Sequence, residues 1–182
     1  TDNIIYIGSH ISQRVVALKA FLDSYDFKVT KNSQQMMINS FSNRKQVIES
    51  EAKMSFTIAL NIPAHSYNES RNNLAKIAEL QRMIAPGTIE SSEKGVFVNS
   101  SKVLMSVFFK NLLNSGEYFS PFNAPSINDF ATLKTYGVIV YCLNVNYQPD
   151  LDAGFFQVAD LDADFMFPKN IKLNLTLEVC HE

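Results

Sequence analysis

Cysteine and glycine are scarce in this chain of 182 residues, with two and six respectively, and each scarcity closes off a class of function. Cys142 and Cys180 cannot form a zinc site alone, and their spacing fits no metal or redox motif. Both lie in segments that read as strands, so buried free thiols are expected rather than a disulfide. None of the glycines falls into Gly-x-Gly-x-x-Gly or a Walker loop, which removes the usual routes to nucleotide phosphates. There is no Gly-x-Ser-x-Gly elbow of a hydrolase.

Charge of one sign is also lacking. Sixteen Lys and Arg against eighteen Asp and Glu give a net charge of −2, and the basic residues are scattered, whereas affinity for phosphates comes from clustered cations. No apolar run approaches the roughly 20 residues that a membrane-spanning helix needs, and no segment has the layout of a secretory signal. The expectation is a soluble protein made in a cytosol. A hydrophobic fraction of 46% with 19% charged residues is ordinary for a globular protein, and the length suits one domain over residues 1–182.

What is present is strand pattern. At the C-terminal end Ile171, Leu173, Leu175, Leu177 and Val179 alternate with Lys172, Asn174, Thr176 and Glu178, which predicts a long half-buried strand. Met54, Phe56, Ile58, Leu60 and Ile62 alternate in the same way until Pro63. Residues 15–27 are ambiguous: Val15, Leu18, Leu22 and Tyr25 have helical spacing, Val16, Leu18, Ala20 and Leu22 alternate, and the β-branched start favours a strand. Residues 136–147 read as a strand with apolar residues on both faces, which implies a sheet covered on both sides there. Residues 28–45 are polar and read as an exposed loop or hairpin. One helix is expected, over about 67–85: Ser66 and Glu69 form a capping box, and Leu74, Ile77, Leu80, Met83 and Ile84 make one apolar stripe. The order, strands then one helix then strands, predicts a mainly β (α+β) fold, an antiparallel β-sandwich or barrel with one packed α-helix.

Few groups suggest chemistry. Asp150, Asp152, Asp160, Asp162 and Asp164 crowd a stretch without Lys or Arg. The run at 160–164 begins like a calcium loop, but the sixth position is Phe165 instead of Gly and the twelfth is Ile171 instead of Glu, so a solvated acidic loop is the reading. His10, His65 and His181 suggest no shared site, and neither Ser9-His10 nor His65-Ser66 has a third group to orient a nucleophile and base. Catalytic, cofactor and metal sites are therefore expected to be absent. The fourteen Phe read as core packing rather than base stacking.

Several phrases, taken in order, resemble a family of phage tail proteins related to the tail tube and to the baseplate proteins that initiate it. They are Val15-Val16-Ala17-Leu18-Lys19-Ala20-Phe21-Leu22-Asp23-Ser24-Tyr25, then Ser55 to Ala64 with Ser66 and Glu69 leading into Asn73-Leu74 and Leu80, then Phe109-Lys110-Asn111-Leu112-Leu113. The closing part is the most specific: Gly137-Val138-Ile139, Pro149-Asp150-Leu151-Asp152-Ala153-Gly154-Phe155-Phe156, and Phe167-Pro168-Lys169 with the terminal strand. The resemblance implies a tail-tube-like subunit without catalysis. It would assemble in the host cytoplasm as a self-associating ring, usually a hexamer, and become part of the virion. Its partners would be other tube and baseplate proteins and the tape-measure protein, with DNA passing through unread. A tail terminator or neck ring is a close variant. On this reading Asp150, Asp152, Asp160, Asp162 and Asp164 would face the channel and repel phosphates, and Lys172, Asn174, Thr176 and Glu178 would face the lumen or an adjoining ring. The alternative is a monomeric β-sandwich ligand-binding module that uses its aromatics as a platform.

Overall fold

A computed structural model describes residues 3–36, 46–84, 103–115, 125–157 and 165–180. The fold is mainly antiparallel β. Seven strands, β1 (Ile4–Ser9), β2 (Val15–Lys19), β3 (Phe21–Met36), β4 (Gln46–Pro63), β5 (Val103–Phe108), β6 (Val138–Pro149) and β9 (Asn170–Val179), form one sheet in the order β2-β1-β5-β6-β9-β4-β3. Two short strands, β7 (Phe155–Phe156) and β8 (Phe167–Pro168), pair separately.

The two edges of this order, β2 and β3, are consecutive in the chain and separated only by Ala20. In a flat sheet, six strand spacings of about 4.8 Å would hold them roughly 29 Å apart; two extended residues span at most about 7 Å. The sheet must therefore curl until its edges meet. Ala20 is the corner: it is fully buried, its N–H donates to the Asn3 carbonyl at 2.9 Å on the β1 side, and the next residue, Phe21, already pairs with Asn61 of β4. Of the two architectures expected, this curl is nearer the barrel, since no second large sheet stacks on the first among the described residues, although β2 and β3 meet at the corner without a ladder between them.

The interior is one apolar cluster to which β1, β2, β4, β5, β6 and β9 all contribute, including Ile5, Leu18, Leu60, Met105, Val140 and Leu173. The alternation expected for β4 and β9 is found: Ile58, Leu60, Ile62 and Ile171, Leu173, Leu175, Leu177 are buried, and Met54, Phe56 and Val179 extend the same faces less deeply.

Two β-bulges explain the ambiguous stretches of sequence. In β6, Cys142 pairs with Leu177 and Asn144 with Thr176, so Leu143 has no partner across the ladder. Before this bulge Val140 and Cys142 point inward; after it Val145 and Tyr147 do, and Leu143 is exposed. Val145 and Tyr147 thus continue the inner face of Val140 and Cys142 in a second phase, while Ile139 and Tyr141, before the bulge, are half-buried on the outer face. In β3 the extra residue is Asp23, between Leu22↔Leu60 and Ser24↔Ala59. Val16, Leu18, Ala20 and Leu22 lead into Tyr25 and Phe27 across it, which produces the three-residue step that mimicked helical spacing.

The expected helix is α1 (Tyr67–Ile84). Its capping box forms with a shift of one residue: the Glu69 N–H donates to Ser66 Oγ at 3.2 Å, and the Glu69 carboxylate accepts from the N–H of His65, at 2.8 Å, not from that of Ser66. Ile77, Leu80 and Met83 join the core, with Leu74 and Ile84 partly buried against it. The Ser70 hydroxyl donates to the Pro168 carbonyl at 2.7 Å inside the protein.

A second helix, α2 (Phe130–Tyr136), corrects the expectation of one. The Asp129 side chain caps it by accepting from the Thr132 N–H at 2.7 Å. Leu133 buries against Phe108 and Ile127 on the outer face of β1 and β5. Gly8 admits this packing, because a Cβ there would lie 2.7 Å from a Leu133 methyl. Residues 28–36, expected in a polar loop or hairpin, continue β3, and β3 with β4 forms a hairpin; residues 37–45 lie outside the described residues.

Candidate functional site

The polar side of β9 sits in the middle of the outer sheet face. Its neighbours follow from the register. Lys172 lies between Gln148 and Asn61, Asn174 between Asn146 and Ala59, Thr176 between Asn144 and Thr57, and Glu178 between Tyr141 and Ser55. Asn174 is exposed; Lys172, Thr176 and Glu178 are half-buried by their neighbours. Three strands thus present a panel of amides and hydroxyls. Its order depends on the Leu143 bulge, which turns Asn144, Asn146 and Gln148 outward.

The main cation of the panel is held at its edge. Lys172 Nζ stands 3.5 Å from Asp150 Oδ1, and Asn170 Nδ2 donates to Asp150 Oδ2 at 3.0 Å and reaches Asn61 Oδ1 at 3.4 Å. The Asn170 hydrogen bond, then the Lys172 charge, hold the Asp150 carboxyl below its ordinary range. Asp150 is therefore tied into the β6–β9 junction and compensated. Asp152 is exposed in the turn that Gly154 closes with a positive φ of 76°. Asp160, Asp162 and Asp164 lie outside the described residues. Among the described residues the fold brings Asp150 together with Lys172, and the Asp152 backbone N–H also donates to the Asp150 carboxylate.

One constellation escaped the sequence reading. His10 Nε2 lies 2.9 Å from Ser106 Oγ, because the β1–β5 register sets Gly8 opposite Ser106 and the His10 N–H donates to the Leu104 carbonyl. The Phe130 ring meets the imidazole edge-on at 5.1 Å. Burial, then the nearby Lys134 charge, lower the His10 pKa. Ser106 is fully buried, whereas His10 is only partly so. No signal in the sequence links residues 96 positions apart before the strand register is known.

An open groove of about 780 Å³ runs between α2 and the ends of β6 and β9, lined by Ser115, Lys134, Thr135, Ile139, Val179 and Cys180 among others. Burial pushes the Cys142 thiol up to about 11, while Cys180 at the groove is only partly buried. No group of three or more His, Cys, Asp or Glu side chains able to hold a metal occurs among the described residues. None of their helices is long and apolar enough to cross a membrane. A scan against protein-family models and a search of curated proteins each returned no match.

Proposed function

We propose that this chain is a structural subunit of a phage tail, forming a ring of the tail tube or baseplate hub, with the terminator ring as a close variant. The observation that carries the reading is the outer panel of β6, β9 and β4. Asn144, Asn146, Gln148, Asn174, Thr176, Thr57 and Asn61 line it, and the Lys172 charge on it is compensated by Asp150. Such a surface is wetted, and its outward cations among the described residues are few: Lys172 beside Asp150, and Lys28 and Lys53 at the other end near Ser55. It therefore offers a passing polyanion little to bind, as the wall of a DNA channel requires. The order of the tail-like phrases along the chain supports the same reading, and so does the antiparallel fold with the capped helix between its halves.

The test is assembly. Negative-stain imaging and light scattering of the purified protein, alone and with tail partners, are expected to reveal rings; a particle that stays monomeric in both cases refutes the proposal and favours a monomeric binding module. Asn174→Lys with Thr176→Lys places clustered cations on the panel. It is expected to leave rings intact and impair genome passage. Loss of rings would move the panel to a subunit interface.

A further inference from the structure

The outer edge of β3 carries a self-complementary pattern. β3 ends the sheet order, so the side of this strand that faces away from β4 has no ladder partner among the described residues. Between its two irregularities, at Leu22/Ser24 and Lys31/Ser33, the strand runs regularly from Ser24 to Lys31. On the core side Tyr25, Phe27 and Val29 continue the inner face beyond the barrel, and Phe27 and Val29 are each 47% exposed. Phe27 rests on Phe56 with ring centroids 4.9 Å apart, leaving its other side open. On the polar side Asp26 and Lys28 flank Phe27 and are both exposed.

We propose that two copies of this chain pair through their β3 edges, antiparallel and with Phe27 opposite Phe27 on a two-fold axis. That register sets Asp26 opposite Lys28 of the second copy, twice by symmetry. Tyr25 then faces Val29 across the seam, so the exposed apolar residues are covered by their own equivalents while backbone N–H and C=O groups with no ladder partner among the described residues find one. A parallel pairing, or an antiparallel one shifted by two residues, loses the match of opposite charges. The occupant that fits is therefore this same strand. The contact closes at two copies, and it does not rest on the tail reading, whose ring needs a different, cyclic surface.

The charges provide the test. Within the chain Asp26 is opposite Thr57 and Lys28 opposite Ser55, both uncharged, so exchanging the two leaves the chain's own sheet unperturbed. Analytical ultracentrifugation is expected to find dimers of the full chain. Asp26→Lys or Lys28→Asp alone should weaken them by about tenfold or more, since each creates two like-charged cross-strand pairs. The double exchange Asp26→Lys with Lys28→Asp should restore them, and a mixture of the two single variants should pair. A wild-type chain that remains monomeric at millimolar concentration, with these charges merely protecting an edge, overturns the proposal. So does a dimer indifferent to both single variants. Because a ring uses a different surface, rings that form while the β3 contact is absent would support the tail reading and overturn this one, and dimers that obey the charge exchange without any ring would do the reverse, so the two can fail separately.

Discussion

Leu143 and Val145 lie two residues apart and both read as apolar strand positions on one face; the bulge makes them opposites. Leu143 has no cross-strand partner and is 47% exposed, whereas Val145 pairs with Leu175 and packs on the core. Replacing each with Asp measures the difference. At Val145 the change removes part of the roughly 1.5–3 kcal/mol that burying such a side chain contributes. It also sets a carboxylate against an apolar interior, for about 1–3 kcal/mol more. The expected total is about 2–4 kcal/mol. Leu143→Asp should stay within about 0.5 kcal/mol, as surface changes do. Deleting Leu143 gives a third arm. It joins Cys142 directly to Asn144 and leaves Val145 and Tyr147 facing inward, so the variant should fold, whereas in an unbulged strand the deletion would turn both outward. Urea unfolding followed by circular dichroism reads all three. If Leu143→Asp costs as much as Val145→Asp, or if the deletion abolishes folding, the bulged register is wrong.

Other consequences are simpler to check. Ser70→Ala removes the buried hydrogen bond to the Pro168 carbonyl and should cost about 1–2 kcal/mol in chemical unfolding, by leaving that oxygen without its donor. Gly8→Ala puts a methyl 2.7 Å from Leu133 and 3.1 Å from the Arg14 carbonyl; it should loosen α2, seen as faster amide exchange at Leu133 and Lys134, with a cost of about 1–3 kcal/mol. Cys142, whose thiol is held at about 11, ionises sooner unfolded than folded. Its contribution to stability is therefore constant below about pH 8.5 and declines between there and pH 11, and a thiol reagent at pH 8 should modify Cys180 first. Asn170→Ala should raise the Asp150 pKa in an NMR titration, because its amide is the largest cause of the lowering; no change would show that Lys172 alone holds the carboxylate.

Local features were legible in the residues alone. Strict alternation placed the inner faces of β4 and β9, since a two-residue period has one solution once one side is apolar. Ser66 and Glu69 marked the start of α1 because capping is chemistry within four residues. Closure at Ala20, the pairing of Asp150 with Lys172 and the meeting of His10 with Ser106 were decided by strand order, which depends on contacts between segments far apart in the chain. The bulges belong to both levels: the sequence carried their signature as a broken period at Leu22–Tyr25 and Cys142–Val145, but a broken period also describes a helix or a strand buried on both faces. Only the ladder with β4 and β9 shows which residue is extra. Helix α2 was hidden for a related reason: its seven residues are too few for a periodic signal, and its place is set by the space above Gly8. What the outer panel faces follows from the same rule, because a strand's own alternation tells which side chains leave the core but not what lies beyond them.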